Sequence, residues 1–136
     1  MHLSEPLHTA SIAGQPLRFF KTPWNDGRPD LPWHSVDDLQ RILGFGEQDR
    51  EFCMRTHKKS EFPLKVIATR EGVVSIAPHY AAMGLIGALS ESGTDIDDVE
   101  RAYVGASYKA AKQLTGALQG IGFMAWALAA LDRHDE

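Results

Sequence analysis

Trp33-His34-Ser35-Val36-Asp37-Asp38-Leu39-Gln40-Arg41-Ile42-Leu43-Gly44-Phe45 is the stretch on which the fold turns. Ser35 is a good helix N-cap, and Asp37 and Asp38 follow it in the first turn, where the helix dipole favours carboxylates. Val36, Leu39, Ile42 and Leu43 recur at helical spacing and form one apolar stripe. Gly44 ends the pattern, because glycine enters the left-handed conformation of a helix C-terminus without a Cβ penalty. The stretch predicts a helix from near Ser35 to Leu43, with Leu39 and Leu43 facing the core one turn apart. Trp33 is expected to pack the preceding strands onto that helix, and Phe45 to fold back over its end.

Upstream, residues 1–10 read as a loose tail. Residues 11–20 read as two short strands around a Gly14-Gln15 turn, with Leu17 and Phe19 on one face and Arg18 and Phe20 on the other. Residues 21–32 hold Pro23, Asn25-Asp26-Gly27, Pro29 and Pro32, which is loop chemistry. Downstream, Gln48 to Thr56 predicts a second short helix. Residues 64–69 and 73–77 predict a hairpin around Arg70-Glu71-Gly72, after which Pro78 opens a helix over 79–90.

Thr94 is the expected cap of the next helix, with Asp95, Asp97, Asp98 and Glu100 in its first turn. Apolar or small residues then recur at helical spacing to position 128, as one helix or as two broken near Gly116, Gly120 or Gly122. These elements define an α+β chain, with a small antiparallel sheet of about four strands packed with helices and a helical C-terminal third. The expected division is an α+β domain over residues 1–91 and a helical segment over 92–136, packed on that domain or on a second subunit.

The 136 residues are 43% hydrophobic and 24% charged, enough to bury a core without a disulfide or a structural metal. The single cysteine, Cys53, excludes an intrachain disulfide and fits a reducing, cytoplasmic compartment. No basic segment followed by an apolar one opens the chain, so a secretory signal is not expected. The net charge of −4 disfavours a protein that coats nucleic acid through bulk electrostatics. A local patch remains open: Arg41, Arg50, Arg55, Lys58 and Lys59 cluster in the middle of the chain, the last three around the run Arg55-Thr56-His57-Lys58-Lys59.

No catalytic or metal-site spacing emerges. Cys53 and His57 would share a helix face, but two ligands fall short of the three or four that zinc requires. Asp95-Ile96-Asp97-Asp98 lacks the glycine and distal glutamate of a calcium loop. The uncharged stretch 114–131 is at the short end of what spans a bilayer and carries Thr115, Gln119 and three glycines, so a helix buried by protein is expected. Small residues at Ala106, Ala110, Gly116 and Gly120 would let another helix approach closely, which makes them candidates for a homodimer seam.

Trp33, Asp38, Leu39, Leu43, Gly44 and Phe45 fall, without a gap, in a register that resembles the signature of the Bro-N domain, the N-terminal module of many phage antirepressors. The resemblance spans roughly residues 11–90 and is sharpest at 33–45. It implies a small α+β fold and a phage- or prophage-type regulator that binds DNA. The expected phosphate contacts are Arg41, Arg50, Arg55, Lys58 and Lys59. The alternative expectation is a non-enzymatic protein–protein interaction module, an inhibitor or adaptor, that forms a homodimer through its C-terminal helices. Both readings expect no catalysis, no cofactor, no metal and no membrane.

Overall fold

In the computed structural model, the described residues are 2–59, 63–116 and 118–133, with 57–59 described as backbone only. Ten elements follow in order: β1 (His8–Ile12), β2 (Gln15–Phe20), β3 (Trp33–Ser35), α1 (Val36–Ile42), α2 (Glu47–Lys59), β4 (Lys65–Thr69), β5 (Gly72–Ala77), α3 (His79–Glu91), α4 (Asp97–Thr115) and α5 (Gly120–Asp132). The five strands form one antiparallel sheet in the order β1-β2-β3-β5-β4. The chain has an α+β fold, one strand richer than expected because the three residues of β3 join the two hairpins across the middle of the sheet.

α1 forms for the local reasons its sequence carries. The Ser35 hydroxyl accepts the Asp38 N–H at 3.1 Å, Asp37 and Asp38 occupy the first turn, and Gly44 takes a φ of 76° just past the C-cap Leu43. The first hairpin differs from expectation in two respects. Its turn is Ala13-Gly14, both at positive φ, with Ile12 opposite Gln15; this twist suits a two-residue connection. Its first strand starts at His8, and the segment before it is tied down. Leu7 N–H donates to the Phe19 carbonyl at 2.7 Å, Ser4 N–H donates to the Ala68 carbonyl at 2.8 Å, and Glu5 pairs with Arg70 at 3.2 Å. The described part of the expected tail therefore runs from the β1 edge of the sheet to the β4 edge.

The main core lies between the β1–β2 hairpin, α1, α3 and α4. Leu17, Phe19, Leu39, Ile86, Ile96, Tyr103, Ala106 and Ala110 meet there. A second cluster of Phe20, Trp33, Val74 and Ile76, flanked by Trp24 and Ile67, accounts for the alternation along β2. Trp33 thus packs against strand residues of this cluster rather than onto α1. Its indole N–H donates to buried Asp30 at 2.8 Å, and Trp24 meets its ring edge-on at 5.1 Å.

The C-terminal third is two helices. α4 begins after Ile96, not at Thr94: Ile96 is buried in the main core, and the Thr94 N–H is already used to close α3 through the Leu89 carbonyl. α4 ends at Gly116 (φ 58°), α5 opens at Gly120 (φ 56°), and the pair is bent by 111°. No single helix among the described residues is long and apolar enough to cross a membrane.

Candidate functional site

Of the expected basic contacts, the three arginines line two separate recesses. Arg50 and Arg55, both from α2, line an open groove of about 650 Å³ against α1, but Asp37, Glu47 and Glu51 line it too, with Gln40 and Met54. Arg50 sits 4.0 Å from the Asp37 carboxylate. Arg41 lines a different recess, with Arg18, Asp38 and Glu71, and reaches Asp38 at 3.3 Å. The side chains of Lys58 and Lys59 lie outside the described residues. Acids thus interleave with the described basic groups, and a cation already beside a carboxylate releases few counterions on meeting a phosphate.

Asp38 is the electrostatic centre of the N-terminal half. Its buried carboxylate accepts Arg18 Nε at 2.8 Å, Arg18 Nη2 at 2.9 Å and the Arg18 backbone N–H at 3.0 Å. Burial pushes the carboxyl pKa up. The Arg18 hydrogen bonds, with the charges of Arg18 and Arg41, more than offset that and hold it below the ordinary carboxylate range. The same bond, ahead of the burial that opposes it, raises the Arg18 pKa. This bidentate pair ties β2 to α1 and leaves little of either group for a ligand.

Sequence reasoning missed a polar cluster inside the fold. Tyr103 is fully buried between two histidine rings, His79 stacked on it at 5.5 Å and His34 edge-on at 5.8 Å. The Tyr103 hydroxyl and the Ser107 hydroxyl both lie 3.4 Å from His79 Nδ1. Burial raises the Tyr103 pKa, so the phenol stays protonated as a hydrogen-bonding group. The partners are 24 and 28 residues apart, and no local spacing announces them. His34, Tyr103 and Ser107 are all buried, so the cluster belongs to the interior of the fold.

Cys53 is buried on α2, and the side chain of His57 lies outside the described residues. No group of three or more His, Cys, Asp or Glu is placed to hold a metal among the described residues.

The four small residues of the expected seam fall in two places. Ala106 and Ala110 are buried in the chain's own main core, where α4 packs across β1. Gly116 and Gly120 sit in the break between α4 and α5. Both take a positive φ there, which glycine adopts without a Cβ penalty.

The surface that stands out is on α5. Its sequence, Gly-Ile-Gly-Phe-Met-Ala-Trp-Ala-Leu-Ala-Ala-Leu-Asp, is apolar until its last residue. One side is held by the chain: Phe123 packs edge-on against Tyr108 at 5.5 Å and under the Lys112 ammonium at 4.5 Å, and Ala130 is fully buried. At the far end Arg133 donates to the Asp26 carboxylate and stacks over Trp24 at 4.5 Å. The Arg133 bond is the main reason the Asp26 pKa falls below the usual range. The other side faces solvent, with Ile121 88% exposed, Met124 63%, Leu128 57% and Leu131 48%. These four recur every three or four residues and form a single stripe. Tyr108 and Val104 on α4 and Leu118 before α5 are exposed as well.

The chain matches no family model, no curated protein and no solved structure among those compared.

Proposed function

We propose that this protein is a non-enzymatic protein–protein interaction module, an adaptor or inhibitor, whose docking element is α5. The carrying observation is the exposed stripe Ile121, Met124, Leu128 and Leu131 on a helix otherwise anchored at both ends. A contiguous apolar patch of this kind marks an interaction site on a folded domain. The absence of charge from 114 to 131 suits burial against another apolar protein surface. A reducing, cytoplasmic setting fits the single buried thiol.

The test separates a docking surface from a misassigned core. Met124→Lys with Leu128→Lys is expected to leave the Tm of dilute protein within a few degrees of wild type, because both side chains are already in solvent. A collapse of the thermal transition would mean that these residues hold the fold together, and the proposal would fail.

A second reading, a prophage-type regulator that contacts duplex DNA, draws on Arg50 and Arg55 lining one groove. It predicts salt-dependent anisotropy with labelled duplex that disappears on charge reversal of Arg50 and Arg55. Binding that is absent at low salt removes this reading and leaves the first untouched.

A further inference from the structure

We infer that the surface which covers the α5 stripe is α5 of a second copy of this chain, lying antiparallel. The inference rests on the docking role of α5 proposed above. Positions 121, 124, 128 and 131 follow the three-four-three spacing of a two-helix seam, in which side chains of one helix enter the gaps between those of its mate. A stripe so spaced is self-complementary about a two-fold axis, and such isologous pairing is the commonest way in which soluble chains assemble. In the antiparallel arrangement Ile121 faces Leu131 of the mate and Met124 faces its Leu128, with the axis passing between the last two.

Charge selects the direction. The stripe carries no ionisable group, and the only one on α5 is Asp132 at its C-terminal end. Gln119 caps the opposite end without a side-chain hydrogen bond. Antiparallel pairing brings each Asp132 carboxylate towards the N-terminal turn of the mate's α5, where the helix dipole welcomes an anion. Parallel pairing would set the two carboxylates side by side and leave both N-termini unaccompanied.

The area is sufficient for a reversible dimer. At their fractional exposures the four residues offer on the order of 500 Å² per copy, or about 1,000 Å² for the pair, near the lower bound of specific interfaces. Leu118 stands exposed just before α5 and can extend the seam.

The test uses the full chain in a Cys53→Ala background. Sedimentation across the micromolar range is expected to show a monomer–dimer equilibrium, and Leu128→Glu is expected to weaken it at least tenfold while the far-UV spectrum is retained. Ile121→Cys chains mixed with Leu131→Cys chains are expected to form a disulfide under mild oxidation, and Ile121→Cys alone is not. Cross-linking of Ile121→Cys with itself would mean parallel helices and overturn the inference. A dimer indifferent to Leu128→Glu would place the interface elsewhere and overturn it too. A strict monomer at high concentration would remove the second copy as partner, yet a stable Met124→Lys, Leu128→Lys chain would still leave α5 as a docking surface for another protein.

Discussion

Arg18 and Asp38 lie 20 positions apart, yet they make the most closely bonded pair of side chains in the N-terminal half. The carboxylate is desolvated, so its stability contribution depends on the guanidinium staying in place. Removing one partner of such a pair leaves the other buried and unmatched, at a cost of about 3–5 kcal/mol. Arg18 keeps some exposure. Asp38→Asn is therefore expected near the lower end, about 3 kcal/mol less stable than wild type in urea unfolding at neutral pH. The pH dependence has a definite sign. The folded-state pKa of Asp38 is lowered from an unfolded value of about 3.9, so its contribution is fully present above that value. It is lost as pH falls through the lowered folded value. The gap between wild type and Asp38→Asn should narrow in acid and vanish below that point; a gap that is constant with pH would show that the ion pair is not its source.

α5 illustrates the element scale, because its hold on the fold is made at two places. Phe123 sits against Tyr108 and Lys112, and Arg133 reaches the loop through Asp26, Trp24 and the Arg28 carbonyl. Few other described contacts secure it, so it should open independently of the sheet. Arg133→Ala is expected to raise amide exchange in the last turns of α5 on the order of tenfold while exchange in β2 and β5 stays as in wild type. Equal acceleration throughout would mean that α5 unfolds only with the whole chain.

The elements also show what a sequence can disclose. α1 was legible because its cap, first-turn acids, stripe and terminal glycine all lie within ten residues and agree. The two hairpins were legible from alternation, although Ala13 at positive φ shifted the first turn by one residue, and nothing about alanine signals that. The sequence left one helix or two open over the C-terminal third, since three glycines were equally able to host a break and none demanded one. The expected seam marks where helical periodicity stops being informative. Small residues at helical spacing permit close approach, but periodicity does not say whether a strand of the same chain or a second subunit takes the space. Here β1 takes it. The exposed stripe on α5 follows the same apolar pattern as a core face, and only its fractional exposure tells the two apart.

At the scale of the whole molecule, charge and hydrophobicity are segregated. Among the described residues, Arg41 and Arg50 pair with acids, acids line the groove that Arg55 shares, and the largest run of uncovered apolar side chains belongs to the last helix. The main core joins the hairpin β1–β2 to α4, so the C-terminal third is not a detachable arm: Tyr103, Ala106 and Ala110 belong to the same cluster as Leu17 and Phe19. Tyr103→Phe is expected to lower Tm by only a few degrees, because it removes one hydroxyl and no ring packing, whereas Tyr103→Ala should cost about 3–5 kcal/mol by leaving a cavity among Phe19, His34 and His79. Thermal unfolding followed by circular dichroism distinguishes these outcomes.

The N-terminal segment that crosses from β1 to β4 has a bearing on solubility. β4 is an outer strand, Lys-Val-Ile-Ala-Thr, and Val66 and Val73 stand exposed on its hairpin. An outer strand of this composition is a template for pairing with another molecule's backbone, and the Ser4 bond to the Ala68 carbonyl occupies part of that template. Deletion of residues 2–6 is expected to leave the chain folded while it gains thioflavin-positive aggregates on standing, a change that restoring the segment reverses. Clear samples of the truncated chain would count against this role. A fusion partner joined at the N-terminus pulls on the same guard, so the end of the chain that looks most dispensable is the one that keeps its sheet from recruiting a stranger.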